Sequence, residues 1–137
     1  MMESGPALVE LPQPRSLTEA EHALVIRLVE FADVADLGEQ VTTVRVVSTC
    51  RCSCASVGLR SDGPPVPATL VARLSATGRD DYFAISASGD DVSVVLHILG
   101  GFVAELEIFA GEGVQVTAPW GQRIAFGGGS CPHLRGA

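Results

Sequence analysis

From Ser16 the apolar positions follow a helical repeat. Leu24, Val25, Leu28, Phe31, Ala32 and Ala35 recur at i, i+1, i+4, i+7, i+8 and i+11, which is one apolar stripe of an amphipathic helix. Glu21, Arg27, Glu30 and Asp33 fall mostly on other faces. Ser16 with Glu19 and Thr18 with Glu21 form two overlapping capping boxes that predict the helix start. Gly38 suits its C-cap. After Gly38 the repeat becomes two. Val44 and Val46 alternate with Arg45; Leu70, Ala72 and Leu74 with Thr69 and Arg73; Phe83, Ile85 and Ala87 with Ala84 and Ser86; Val114 and Val116 with Gln115. Ile124 and Phe126 flank Ala125. Such short runs, bounded by Gly, Pro, Asp or Ser, predict strands. The fold class expected is α+β, one N-terminal helix on a mainly antiparallel sheet of about six to eight short strands.

The clearest strand pair runs from Val92 to Phe109 and folds at Gly100-Gly101, a dipeptide made for a type I′ turn. Counting back from that turn sets Leu99 opposite Phe102 and His97 opposite Ala104, with Val95 opposite Leu106 on the same face. The other face then carries Val94, Leu96, Ile98, Val103, Glu105 and Glu107. A face this apolar is either covered by another part of the chain or is a partner surface. Residues 1–15, with Pro6, Pro12 and Pro14, read as an extended arm; residues 16–126 as one domain; residues 127–137 as a Gly-rich tail.

Composition fits that picture. Of 137 residues, 47% are hydrophobic and 18% charged, which excludes a disordered chain. The 9 basic and 16 acidic residues give a net charge of −7, which argues against nucleic acid or an anionic membrane as partner. All nine basic residues are Arg, and Lys and Asn are absent, a bias that GC-rich bacterial codons produce. With no signal-like start and no long apolar run, a cytoplasmic location is expected, where the four cysteines stay mostly reduced.

Candidate chemistry is sparse. Cys50, Cys52 and Cys54 could hold zinc, with Cys131 and His133 completing the set if the tail folds back. However, Cys-x-Cys in an extended strand holds its sulfurs about 6–7 Å apart, and buried thiols explain the same spacing. His97 needs an orienting acid to be catalytic, and in the register above Glu105 and Glu107 point away from it. His22 falls on the solvent side of the helix. The doublets Asp80-Asp81 and Asp90-Asp91 read as turn residues. Trp120, in a turn, is a candidate interface anchor. No Walker loop, nucleophile elbow or His-Glu-x-x-His occurs.

Two segments, Cys50-Arg-Cys-Ser-Cys-Ala-Ser-Val57 and Leu99-Gly-Gly-Phe-Val-Ala-Glu-Leu-Glu-Ile-Phe109, resemble stretches found in that order in small, largely actinobacterial proteins. That family carries Gly at the position of Ser53 and Pro at that of Ala55. The resemblance covers roughly the central half of the chain and implies no reaction.

The expectation is therefore a non-enzymatic protein acting by contact. The partner is a second copy or a basic protein, as an immunity-like role would need, and Val94, Leu96, Ile98, Val103, Glu105, Glu107 and Trp120 form the surface. A metal-binding or thiol-based sensor built on Cys50, Cys52 and Cys54 is the alternative. Both depend on the hairpin being an unbroken ribbon. If that stretch is helical, or bends so that His97 and Glu105 share a wet hollow, the contact reading falls and catalysis is open again.

Overall fold

A computed structural model describes residues 8–50, 56–89, 93–109 and 124–125. Its elements are β1 (Leu8–Arg15), α1 (Glu19–Ala32), α2 (Ala35–Val41), β2 (Arg45–Cys50), β3 (Val57–Arg60), α3 (Ala68–Leu74), β4 (Tyr82–Gly89), β5 (Ser93–Leu99), β6 (Phe102–Phe109) and β7 (Ile124–Ala125). The strands form one sheet in the order β1-β2-β3-β6-β5-β4-β7. Each described pairing is antiparallel, so the α+β class holds.

The helix start follows the second capping box. Thr18 Oγ1 accepts the Glu21 N–H at 3.1 Å, and Glu21 Oε1 accepts the Thr18 N–H at 2.9 Å. Arg15, the last residue of β1, grips the same carboxylate with both guanidinium ends, at 3.0 and 3.1 Å. Burial pushes the Glu21 carboxyl up, but the Arg15 and Thr18 donors outweigh it and hold it below its ordinary value. Thr18→Ala is expected to cost about 1 kcal/mol, read as a melting temperature lower by about 2–4 °C.

Three expectations change here. The first helix ends at Ala32, where Asp33 takes a left-handed conformation (φ 57°) and its N–H closes on the Val29 carbonyl. Gly38 lies inside α2 and caps nothing. The break re-aims the chain so that Leu37 and Val41 enter the core, while Phe31 is 59% exposed. The Leu70–Leu74 run is the helix α3, not a strand. Pro67 at its N-cap position has φ −60°, and Ala-Thr-Leu-Val-Ala-Arg-Leu is good helix-forming sequence. Residues 8–15, read as an arm, are hydrogen-bonded to β2 as the sheet's edge, where prolines are tolerated.

The turn is as expected. Gly100 and Gly101 have φ of 61° and 87°, and Leu99 faces Phe102, with Ile98 facing Val103 beyond them. The next pairs, His97 with Glu105 and Leu96 with Leu106, are displaced by one residue. An extra β6 residue stands in the ladder, which is a β-bulge.

That single residue reverses the predicted faces. Val94, Leu96 and Ile98 are fully buried and Val103 is 2% exposed. They meet Leu106, Ile108, Phe83 and Ile85 in the core, under Leu24 and Leu28 of α1. Val94, Leu96, Ile98 and Val103 therefore form no partner surface. Glu105 and Glu107 part from them and stand on the opposite face, beside His97.

Candidate functional site

The bulge assembles a polar group on the sheet face away from the helices. His97 on β5 lies opposite Ala84 of β4 and Glu105 of β6. Tyr82 is two residues before Ala84, and Glu107 two residues after Glu105. The three side chains therefore run diagonally across three strands, a direction in which long side chains on one face can meet. Tyr82 Oη lies 2.5 Å from His97 Nδ1, and His97 Nε2 lies 2.6 Å from Glu107 Oε1. The tyrosine and imidazole rings are stacked, with centroids 5.7 Å apart.

The hydrogens follow from what each group can do. A carboxylate only accepts, so His97 Nε2 donates to Glu107. In the neutral imidazole Nδ1 is then the acceptor, and the Tyr82 hydroxyl donates to it. This is the logic of a nucleophile–His–acid triad, with a phenol in the first position. The His97 side chain keeps 19% of its surface and Glu107 only 1%. The site thus has a buried anchor and a partly open head.

Burial and charge tune its members. Burial pushes the Tyr82 phenol up, and the neighbouring Glu107 and Glu105 carboxylates add to that, against the Arg79 guanidinium 5.3 Å from the ring centre. Burial also raises the Glu105 carboxyl from 4.5 to about 7; His97 lowers it and Glu107 raises it. Glu105 Oε2 and Glu107 Oε2 are both buried and lack a hydrogen-bond partner among the described residues. Buried acceptors of this kind call for a donor.

The remaining sequence candidates divide cleanly. His22 is exposed on α1. Asp81 is exposed and pairs with Arg79 at 2.8 Å. Cys52, Cys54, Asp90, Asp91, Trp120, Cys131 and His133 lie outside the described residues, as does the side chain of Cys50. Among the described residues no cluster of three His, Cys, Asp or Glu side chains is arranged to hold a metal, and no helix is long and apolar enough to cross a membrane. Sequence reasoning missed Tyr82. It is the chain's single tyrosine, and it opens the strand that pairs with His97's.

Comparison with family models, curated proteins and solved structures finds no match for the chain.

Proposed function

We propose that the protein is a general acid–base catalyst acting on a small polar substrate at Tyr82, His97, Glu107 and Glu105. The observation that carries this reading is the continuous pair of short contacts from the Tyr82 hydroxyl through His97 to Glu107. Glu107 fixes the imidazole's tautomer and stabilises the imidazolium that forms when Nδ1 takes a proton. A free phenolate is disfavoured here, because burial and two carboxylates oppose it. Tyr82 therefore works as a relay: its oxygen takes the substrate's proton as its own passes to Nδ1. Glu105, held near 7, is the acid partner, and a carboxyl with that value exchanges protons readily at neutral pH. A substrate reaches the site at the partly open His97 and Tyr82 edge, since the Glu107 side chain is closed off from solvent.

The test is a turnover screen over small esters, lactones and enolisable ketones. His97→Gln is expected to lower turnover by about 10²–10⁴, Tyr82→Phe by a similar factor, and Glu105→Gln to remove a pH limb near 7. Turnover that survives His97→Gln unchanged would discard the proposal.

A further inference from the structure

The outer edge of β6 should be completed by β3, yet among the described residues β3 pairs only with Leu106 and Glu105. Side chains finish the rest. At one end Ser56 Oγ accepts the Ile108 N–H at 2.8 Å and donates to the Ile108 carbonyl at 3.2 Å. At the turn end the side chain of Gln40, on α2, is fully buried. Its Oε1 accepts the Val103 N–H at 2.9 Å, and its Nε2 donates to the Gly101 carbonyl at 2.8 Å. Taking one hydrogen bond and giving another to residues two apart is what a paired strand residue does. The same amide also donates to the Pro64 carbonyl at 2.9 Å and accepts from the Ser61 hydroxyl at 3.3 Å. The loop after β3 closes on the turn as well, since the Val66 N–H donates to the Gly101 carbonyl. A Cβ on Gly101 would come within 2.6 Å of the Val66 carbonyl oxygen.

The bulge lies between these anchors. The two-glycine turn alone would set Ala104 against His97, whereas the core demands Leu106 and Ile108 on the helix side. One extra residue absorbs the conflict just after Val103, the residue whose N–H Gln40 holds. We infer that Gln40 is a positioning residue for the acid–base site: its carboxamide pins the turn end of β6, which confines the extra residue and sets Glu105 against His97. Without it, the buried Val103 N–H loses its acceptor, the Gly101 carbonyl keeps only the Val66 N–H, and the extra residue is free to move toward the turn. Glu105, next along, then opens to water. Glu107 is held by the Ser56–Ile108 lock and moves less.

The proposal rests on the acid–base reading only for what is being positioned, and its test needs no turnover. Among the described residues, the titratable groups facing Glu105 are His97 from β5, Glu107 from β6 and Tyr82 from β4; the β3 neighbour, Gly58, has no side chain. Carbon-detected NMR titration of the full chain reads the Glu105 carboxyl, and the cross-strand contact between the Glu105 and His97 backbones reads the register. Gln40→Met is expected to shift the Glu105 midpoint down by on the order of one pH unit and to weaken that contact. Leu37→Ala, a core truncation in the same helix, is expected to lower thermal stability comparably and leave both readouts in place. Gln40→Leu removes the acceptor and both donors at a similar volume without adding a charge; it should shift the midpoint in the same direction, and it serves if Gln40→Met does not fold. Unchanged midpoint and contact in the Gln40 variants, or equal changes in Leu37→Ala, would overturn the proposal. Loss of the turnover reading alone would leave these readouts untouched.

Discussion

Ile98→Asp is expected to leave the chain unfolded. Ile98 is fully buried, with Phe83 on one side and Val103 on the other along the sheet. Truncating such a side chain typically costs about 2–5 kcal/mol. An aspartate there adds the cost of desolvating an unpaired carboxyl, several kcal/mol more. The sum reaches the total stability of an ordinary domain, about 5–15 kcal/mol. Val103→Asp, at 2% exposure, should behave alike. Circular dichroism and one-dimensional NMR check both: the expected result is no cooperative melt and no dispersed methyl signals. On a solvent face the same charge would change stability by about 0.5 kcal/mol or less. A folded Ile98→Asp protein with the wild-type melting temperature would return Val94, Leu96 and Ile98 to the surface and revive the contact reading.

The hairpin shows how far sequence carries. Its turn was legible because only glycine takes two successive positive φ angles without strain. Its faces were misread because a one-residue slip moves every side chain to the other side of a sheet. Little in the residue pattern warned of that slip. Within β6 the even positions Phe102, Ala104, Leu106 and Ile108 are apolar throughout, so period two runs on unbroken. Val103, apolar in the odd phase beside the bulge, is the one irregular position before Glu105. The α3 segment carried no comparable mark. Leu70, Ala72 and Leu74 suit a strand, and over seven residues period two and a helical stripe overlap.

The site was hidden for a different reason. The residue types of Tyr82, His97 and Glu107 are ordinary one by one, and their meeting depends on diagonal neighbours across two strand pairings. One of those pairings was set one residue wrong. Gln40 was less accessible still. Its partners are, besides the Ser61 hydroxyl, backbone groups at Pro64, Gly101 and Val103, which no side-chain pattern announces. Before the fold is known, a glutamine in a helix reads as a solvent residue. Only the unfilled edge of β6 explains why it is fully buried.

The second large effect is a pH dependence with the opposite sign to that of most paired carboxylates. Glu105 rises from 4.5 to about 7, with burial the first cause. Its neutral form is therefore favoured in the folded protein relative to the unfolded chain. Below pH 4.5 the carboxyl is neutral in both states and exacts no penalty. Between about 4.5 and 7 the unfolded chain ionises first, so this group's contribution to stability falls as pH rises. Above 7 the penalty is complete and constant. Each pH unit between the two values is worth about 1.4 kcal/mol, and the partial exposure of Glu105 reduces the resulting total of roughly 3 kcal/mol to about half. Glu105→Gln keeps the shape and removes the titration. It is expected to be the more stable protein at pH 8 by about 1–2 kcal/mol, to converge on the wild type near pH 4, and to lack the decline between them. Urea midpoints measured from pH 4 to 8 for the two proteins read this directly. Parallel curves would mean that Glu105 keeps its ordinary value and stays ionised at neutral pH. The acid half of the proposed mechanism would then have to come from another group.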